Sequence, residues 1–547
     1  MSGSFLTSKI SVIRRIARSI LGDNSGQGST ARSVVWNYLG YVYQLAINFA
    51  STAYIARKIP VPEYGLLIFV VSLSQTLNML DLGIGSVLVQ AYVSAKVDGG
   101  IVRLNELLST TFFVLTAIGA LGAALFIGIS ALLPGPFNIP HQLLHEAAII
   151  FLLAALMVQA GLSAVAVEQV YQSSHRFDRL NQVQFIIATL FLVLTVIALF
   201  AGFGVIALAV IQAVAAVLRP ALLICALPFT VSDARISFSR VRMKLLRPLL
   251  SVSKWAFVNS VSWYLLDLLM WIILGTFGSM QAAAMFGLAN KLPKQLWNAI
   301  DRGASVFLPS MSQFAAEYDC EKLRAIYIVV QKLVFGASLP FILLGIIFAW
   351  PLIHIWAGAQ YHGATTTMQL LLLAAVGHAV AYPSSQLMYA CSLPKKLVTQ
   401  SLSILFASAA GAMILVPRYG AAGLAAAFAI PNLIICAGWT IPVACKLAGL
   451  STGTLIEHSI KAISSSHLCS RASASKFPIS PVRLLALCWR CLVRLPLPRH
   501  MGEIHSPPAL QKQGRAISTG SRDRLAVSMS SLSLRFETNP DQISTYR

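Results

Sequence analysis

Charge is scarce in this chain. Only 11% of its 547 residues are Asp, Glu, Lys or Arg, whereas a soluble globular protein carries about 25%, so a soluble enzyme is excluded. Carboxylates are the rarest, 19 against 41 Lys and Arg. Cysteine is sparse as well: Cys225, Cys320, Cys391, Cys436, Cys445, Cys469, Cys488 and Cys491 mostly lie in or beside apolar runs, without the spacing of a disulfide framework. Cys488 and Cys491 are spaced like two metal ligands but lack a second pair to complete a tetrahedral set, so no metal site is expected. No Walker motif, dinucleotide fingerprint, H-E-x-x-H zinc motif or G-x-S-x-G elbow stands in a supporting context. The chain is therefore expected not to be an enzyme, to use no cofactor and not to be driven directly by ATP.

What is abundant is apolar sequence. Hydrophobic residues make up 57% of the chain and mean hydropathy is +0.73, and repeated apolar runs of membrane-spanning length predict a polytopic, all-α membrane protein. Twelve spans are expected, at 33–56, 65–93, 109–133, 146–172, 182–201, 204–228, 249–275, 282–311, 327–350, 366–392, 398–416 and 421–446. The formal charge of +22 sits around these runs, which points to a membrane surface and not to nucleic acid. Taking alternate connections, 18 Lys and Arg fall on one side against Arg57, Lys58 and Arg418 on the other, an imbalance that places both termini in the cytoplasm. The charge-poor connections are short, with no external domain to house a catalytic centre.

The chain divides into a basic amphipathic N-terminus (1–32), a first six-helix lobe (33–228), a basic cytoplasmic linker (229–248), a second six-helix lobe (249–447) and a tail (448–547). In the N-terminus, Ile10, Ile13, Ile16 and Ile20 oppose Arg14, Arg15 and Arg18, the pattern of a helix lying on a membrane surface. The tail is rich in Ser, Arg and Pro. Its strongest apolar stretch, Val482 to Leu495, contains Arg483, Arg490 and Arg494, whose cost of about 2.5 kcal/mol apiece exceeds the gain of about 0.5 kcal/mol from each apolar neighbour. It is expected to be either a disordered basic arm or an out-of-frame ending.

The lobes resemble each other. Trp36 matches Trp255 and Asp81 matches Asp301; between them Glu63-Tyr64-Gly65 corresponds to Met285-Phe286-Gly287, and Leu80-Asp81-Leu82-Gly83 to Ile300-Asp301-Arg302-Gly303. An offset of about six helices gives repeats of the same orientation, as in transporters built from parallel halves.

Polar residues within spans mark the expected pathway. At 100° per residue, Lys291, Lys294, Gln295, Asn298, Asp301, Arg302 and Ser305 of the eighth span fall within an arc of about 120°. Buried charge costs about 2.5–3.5 kcal/mol per group, so such a face is expected to line a wet cavity. The first span offers Asn37, Gln44 and Asn48, and the seventh Asn259, Trp263 and Asp267, amides and an aromatic ring suited to sugar hydroxyls and ring faces. Asp81, Glu168, Asp267 and His378 are candidates for ion coupling.

Pro60-Val61-Pro62-Glu63-Tyr64-Gly65, Leu80-Asp81-Leu82-Gly83-Ile84-Gly85 and Phe286-Gly287-Leu288-Ala289-Asn290-Lys291-Leu292 resemble signatures of the polysaccharide exporters and O-antigen flippases of the multidrug/oligosaccharidyl-lipid/polysaccharide flippase superfamily. The resemblance covers roughly residues 30 to 450 and implies two six-helix lobes around a central cavity. It further implies that a polyprenyl-diphosphate-linked glycan moves by alternating access from the inner to the outer leaflet of a bacterial cytoplasmic membrane. Membrane lipids and a glycan polymerase or glycosyltransferases are the partners of such a flippase. A multidrug exporter of the same fold and a non-transporting scaffold of a glycan-assembly complex are the alternatives. Lys291, Lys294 and Arg302 favour the flippase, since a drug exporter is expected to present an acidic, apolar cavity.

Overall fold

A computed structural model describes residues 27–453, apart from 79–83, 133–134, 175, 232–233, 247–253, 306, 318, 392 and 452. The amphipathic N-terminus, Asp81 and nearly all of the tail lie outside the described residues. Within them the protein is all-helical: α1 Gln27–Lys58, α2 Val61–Asn78, α3 Ile84–Leu132, α4 Leu144–Ser173, α5 Phe177–Phe200, α6 Val205–Thr230, α7 Lys254–Phe277, α8 Met280–Ala289, α9 Lys291–Ser305, α10 Leu308–Ala316, α11 Cys320–Ile347, α12 Ala349–Trp356, α13 Ala364–Ala390, α14 Pro394–Ile435 and α15 Ile441–Leu447. It is a polytopic membrane protein.

Among the described residues, eight helical stretches are long and apolar enough to cross a membrane, the last of them Pro394–Leu447. Two continuous helical runs fold back on themselves. Gly100 (φ 62°) in α3 and Gly420 (φ 53°) in α14 adopt the left-handed conformation that side chains resist. Beyond Gly100 the chain returns so that the Tyr92 hydroxyl meets Thr111 Oγ1 at 2.7 Å; beyond Gly420 it returns so that a side chain at Gly411 would touch Ala427. The fold at Gly420 divides the last of these into two, and α1, α2 and the α8–α10 series are further helical segments that fall on expected spans.

The eighth expected span, 282–311, is not one helix but three. Pro293 has no N–H to give the carbonyl of Ala289, and α8 ends there; Pro309 likewise leaves the carbonyl of Ser305 without a donor, and α9 ends there. The expectation failed because it weighed apolar length and not proline position.

The 229–248 connection is also more than a linker. The backbone N–H groups of Arg235, Ser237 and Arg242 donate to Asn105, Ser109 and Thr110 on α3 at 2.8, 3.0 and 2.8 Å, so its described residues are fastened to the first lobe.

The two lobes meet in a tight seam at the end where the connections carry few Lys and Arg. There α2 crosses α7 and α8 through glycines. A Cβ on Gly65 would stand 1.7 Å from the Met280 carbonyl oxygen, one on Gly287 2.2 Å from Ile68 Cγ2, and one on Gly275 2.3 Å from Phe69 Cζ. Gly65 and Gly287 are the matched glycines of the two sequence repeats, and each faces the other lobe. Around the seam, Asn138 Nδ2 donates to the Gly278 carbonyl at 2.9 Å, Trp356 Nε1 to that of Phe49 at 3.0 Å, and Arg57 to that of Ile355. Tyr64 and Tyr361 meet edge to face.

Gly65→Ala must push backbone apart, and is expected to destabilise the protein by about 1–3 kcal/mol. Gly128, with nothing within 4 Å of its virtual Cβ, is the control, since alanine there gains helix propensity at no steric cost. Thermal melting in detergent should fall for Gly65→Ala and hold or rise for Gly128→Ala; equal midpoints would show that the seam is looser than described.

Candidate substrate cavity

Below the seam lies a cavity of about 850 Å³ between the lobes. Its walls come from α1 (Gln44, Asn48, Ser51), α2 (Tyr64, Gln75, Thr76), α4 (Glu168), α5 (Gln184), α6 (Gln212, Arg219), α7 (Asp267, Trp271) and α9 (Lys291, Lys294, Gln295), with Asn290 at the α8–α9 break. The break exposes the first turn of α9 to this space. The rings of Phe49, Phe191, Trp271 and Trp356 belong to the apolar part of the wall.

The charges are unevenly paired. Arg219 Nη2 lies 3.0 Å from Glu168 Oε1, and Asp267 Oδ2 accepts from Thr76 Oγ1 at 2.8 Å across the lobe boundary. Lys291 and Lys294 have no carboxylate within ion-pair distance among the described residues. Three cations against two carboxylates give this lining a formal charge of +1. Two ammonium groups facing a cavity at membrane depth are costly unless water or an anion meets them.

Of the expected pathway residues, the cavity gathers Gln44, Asn48, Lys291, Lys294 and Gln295, and of the coupling candidates Glu168 and Asp267. Asn298, Asp301, Arg302, Asn259 and Trp263 are not among its described lining residues. The polar stripe of α9 was identified by phase alone, but Arg302 lies eleven residues beyond Lys291, about 16 Å along the axis, further than one headgroup reaches. Asn259 Nδ2 instead donates to Tyr389 Oη at 2.9 Å, and Trp263 packs against the core. Asn37 belongs to α1, but its side chain lies outside the described residues, as does all of Asp81.

Asp301 and His378 are brought together. His378 Nε2 and Asp301 Oδ1 are 2.5 Å apart, with Trp297 stacked on the imidazole at 3.9 Å and Tyr382 at 5.1 Å. The pair ties α9 to α13. Arg219 is a charged cavity residue absent from the sequence expectation, although an arginine inside the apolar run 205–228 was signal enough.

A family profile described as "Polysaccharide biosynthesis protein" matches residues 54–366, more than half of the chain. The chain belongs to this family. No curated protein sequence matches it. Among solved structures it is similar to the lipid II flippase MurJ in an inward closed conformation (TM-score 0.65, 12% identity, 84% of this chain and 97% of that one). It is also similar to a multidrug resistance MATE family transporter of the MOP superfamily in its inward-facing conformation (0.62, 15%, 75% and 96%). An outward-facing structure of such a transporter gives 0.54 at 15% identity, over 77% and 96%. At these identities the likeness establishes the fold.

Because Asp301 contacts His378 and not the cavity, Asp301→Ala is expected to lower stability by about 1.5–3 kcal/mol, the loss of a charge-assisted hydrogen bond, while ligand binding in the cavity persists. Thermal melting and binding measured on the same preparation check this. Loss of binding at unchanged stability would return Asp301 to the pathway.

Proposed function

We propose that the protein is a flippase that moves a lipid-linked oligosaccharide or polysaccharide precursor from the inner to the outer leaflet. The observation that carries this reading is the pair of cations, Lys291 and Lys294, without a carboxylate partner among the described residues, on the wall of a cavity that also presents amides, hydroxyls and aromatic rings. The ammonium groups suit a diphosphate, the amides suit sugar hydroxyls, and the indole faces suit sugar rings. A cavity for cationic drugs would call for the opposite balance of charge. Membership of a polysaccharide biosynthesis family agrees with a glycan cargo.

With the basic connections in the cytoplasm, both termini are cytoplasmic and the glycine seam closes the outer end, so the cavity is offered to the inner leaflet. In this reading the two six-helix lobes, 33–228 and 249–447, move against each other about the cavity. Export requires the seam to part and the opposite end to close. Such a protein works beside the polymerase or glycosyltransferases that make and use its cargo.

Replacing Lys291 and Lys294 together with Gln removes two charge-assisted contacts of about 1.5–3 kcal/mol each, and is expected to cut export of the lipid-linked glycan by at least about tenfold. The check is an in-cell export assay with variant and wild type at equal membrane levels, where Lys→Arg at both positions should retain most activity. Full export by the double Gln variant would remove these lysines from the pathway.

A further inference from the structure

The Glu168–Arg219 pair stands on the cavity wall of the first lobe, with Lys291 and Lys294 presented from the second. The carboxylate is 19% exposed and the guanidinium 43%, so the cation is the partner more open to the cavity. Beside Glu168, α6 brings Arg219 and α4 itself Tyr171, one turn away and hydrogen-bonded to the Leu223 carbonyl. α3, packed on α4, brings Tyr92, bonded to Thr111; α5 brings the neutral Gln184. Asp267, Lys291 and Lys294 line the same cavity from the other lobe. Arg219 is thus the cation that Glu168 contacts directly.

We propose that Arg219 changes partner when an anion binds: a diphosphate held by Lys291 and Lys294 draws the guanidinium from Glu168, and the carboxylate left behind takes a proton from cavity water. This rests on the anionic-cargo reading above. The charge balance favours it. A diphosphate diester bears one negative charge on each phosphoryl group, which turns the lining charge of +1 into −1, and a proton on one Glu168 oxygen returns the loaded cavity to neutrality. An unpaired carboxylate at membrane depth costs several kcal/mol, and protonation removes that cost. No covalent bond to the cargo forms or breaks. The bidentate geometry of guanidinium with phosphate gives the exchange its direction. The wall therefore couples cargo binding to proton uptake, and unloading to proton release.

The test is calorimetric titration of the purified full-length protein at neutral pH in two buffers of different ionisation enthalpy. The ligands are farnesyl-diphospho-N-acetylglucosamine and UDP-N-acetylglucosamine, which carry the same diphosphate diester with and without a lipid. Wild type is expected to take up about one proton for each farnesyl ligand bound. In Glu168→Gln the uptake should vanish while affinity rises several-fold, because the guanidinium no longer has an internal competitor. Uptake with both ligands supports the exchange for the diphosphate alone; uptake with the farnesyl ligand alone supports it for a lipid-linked one. Binding to wild type without proton uptake, or uptake unchanged in Glu168→Gln, overturns the exchange and leaves the cationic cavity standing. No binding of the farnesyl ligand to wild type removes both.

Discussion

The close crossing of α2 with α7 and α8 is the contact on which the rest of the structure depends. In a membrane, lipid tails are as apolar as leucine, so helices associate by packing and not by escape from water, and glycines that let backbones approach are the means. Gly65, Gly275 and Gly287 provide that approach. It holds the lobes together at that end, and the cavity lies beneath it. The same crossing presents the α8–α9 break to that space, since Pro293 stops α8 before it can continue as one rod. Lys291 and Lys294 owe their position to both constraints.

Electrostatics then decides what the cavity suits. Each charge inside a membrane carries a penalty, and the protein offsets it differently on its two walls. The first lobe pairs Arg219 with Glu168; the second leaves Lys291 and Lys294 without a carboxylate among the described residues. A wall with a satisfied pair and a wall with open cations form a site whose balance changes when an anion enters. The Asp301–His378 pair, by contrast, is braced by Trp297 and joins helices of one lobe.

The spans, the repeat and the lysines were legible because their signals are local: apolar length, a recurring aromatic-Gly step, and a charge within an apolar run. The matched Gly65 and Gly287 could be paired from sequence, but not that they meet across one seam, which depends on how the lobes dock. Helical phase placed Lys291 and Arg302 on one face and said nothing of depth, so residues from the far end of α9 were grouped with the cavity. The pairing of Asp301 with His378 joins residues 77 positions apart, beyond any periodicity. Arg219 was readable and was missed because the surrounding run looked uniformly apolar.

Electron cryomicroscopy of the protein in nanodiscs, loaded with a polyprenyl-diphosphate-linked oligosaccharide, tests the central claim most directly. The account predicts diphosphate density within hydrogen-bond distance of the Lys291 and Lys294 ammonium groups, with the glycan extending between the lobes along the α1 amides. Diphosphate density outside the cavity, or inside it but away from both lysines, would contradict it.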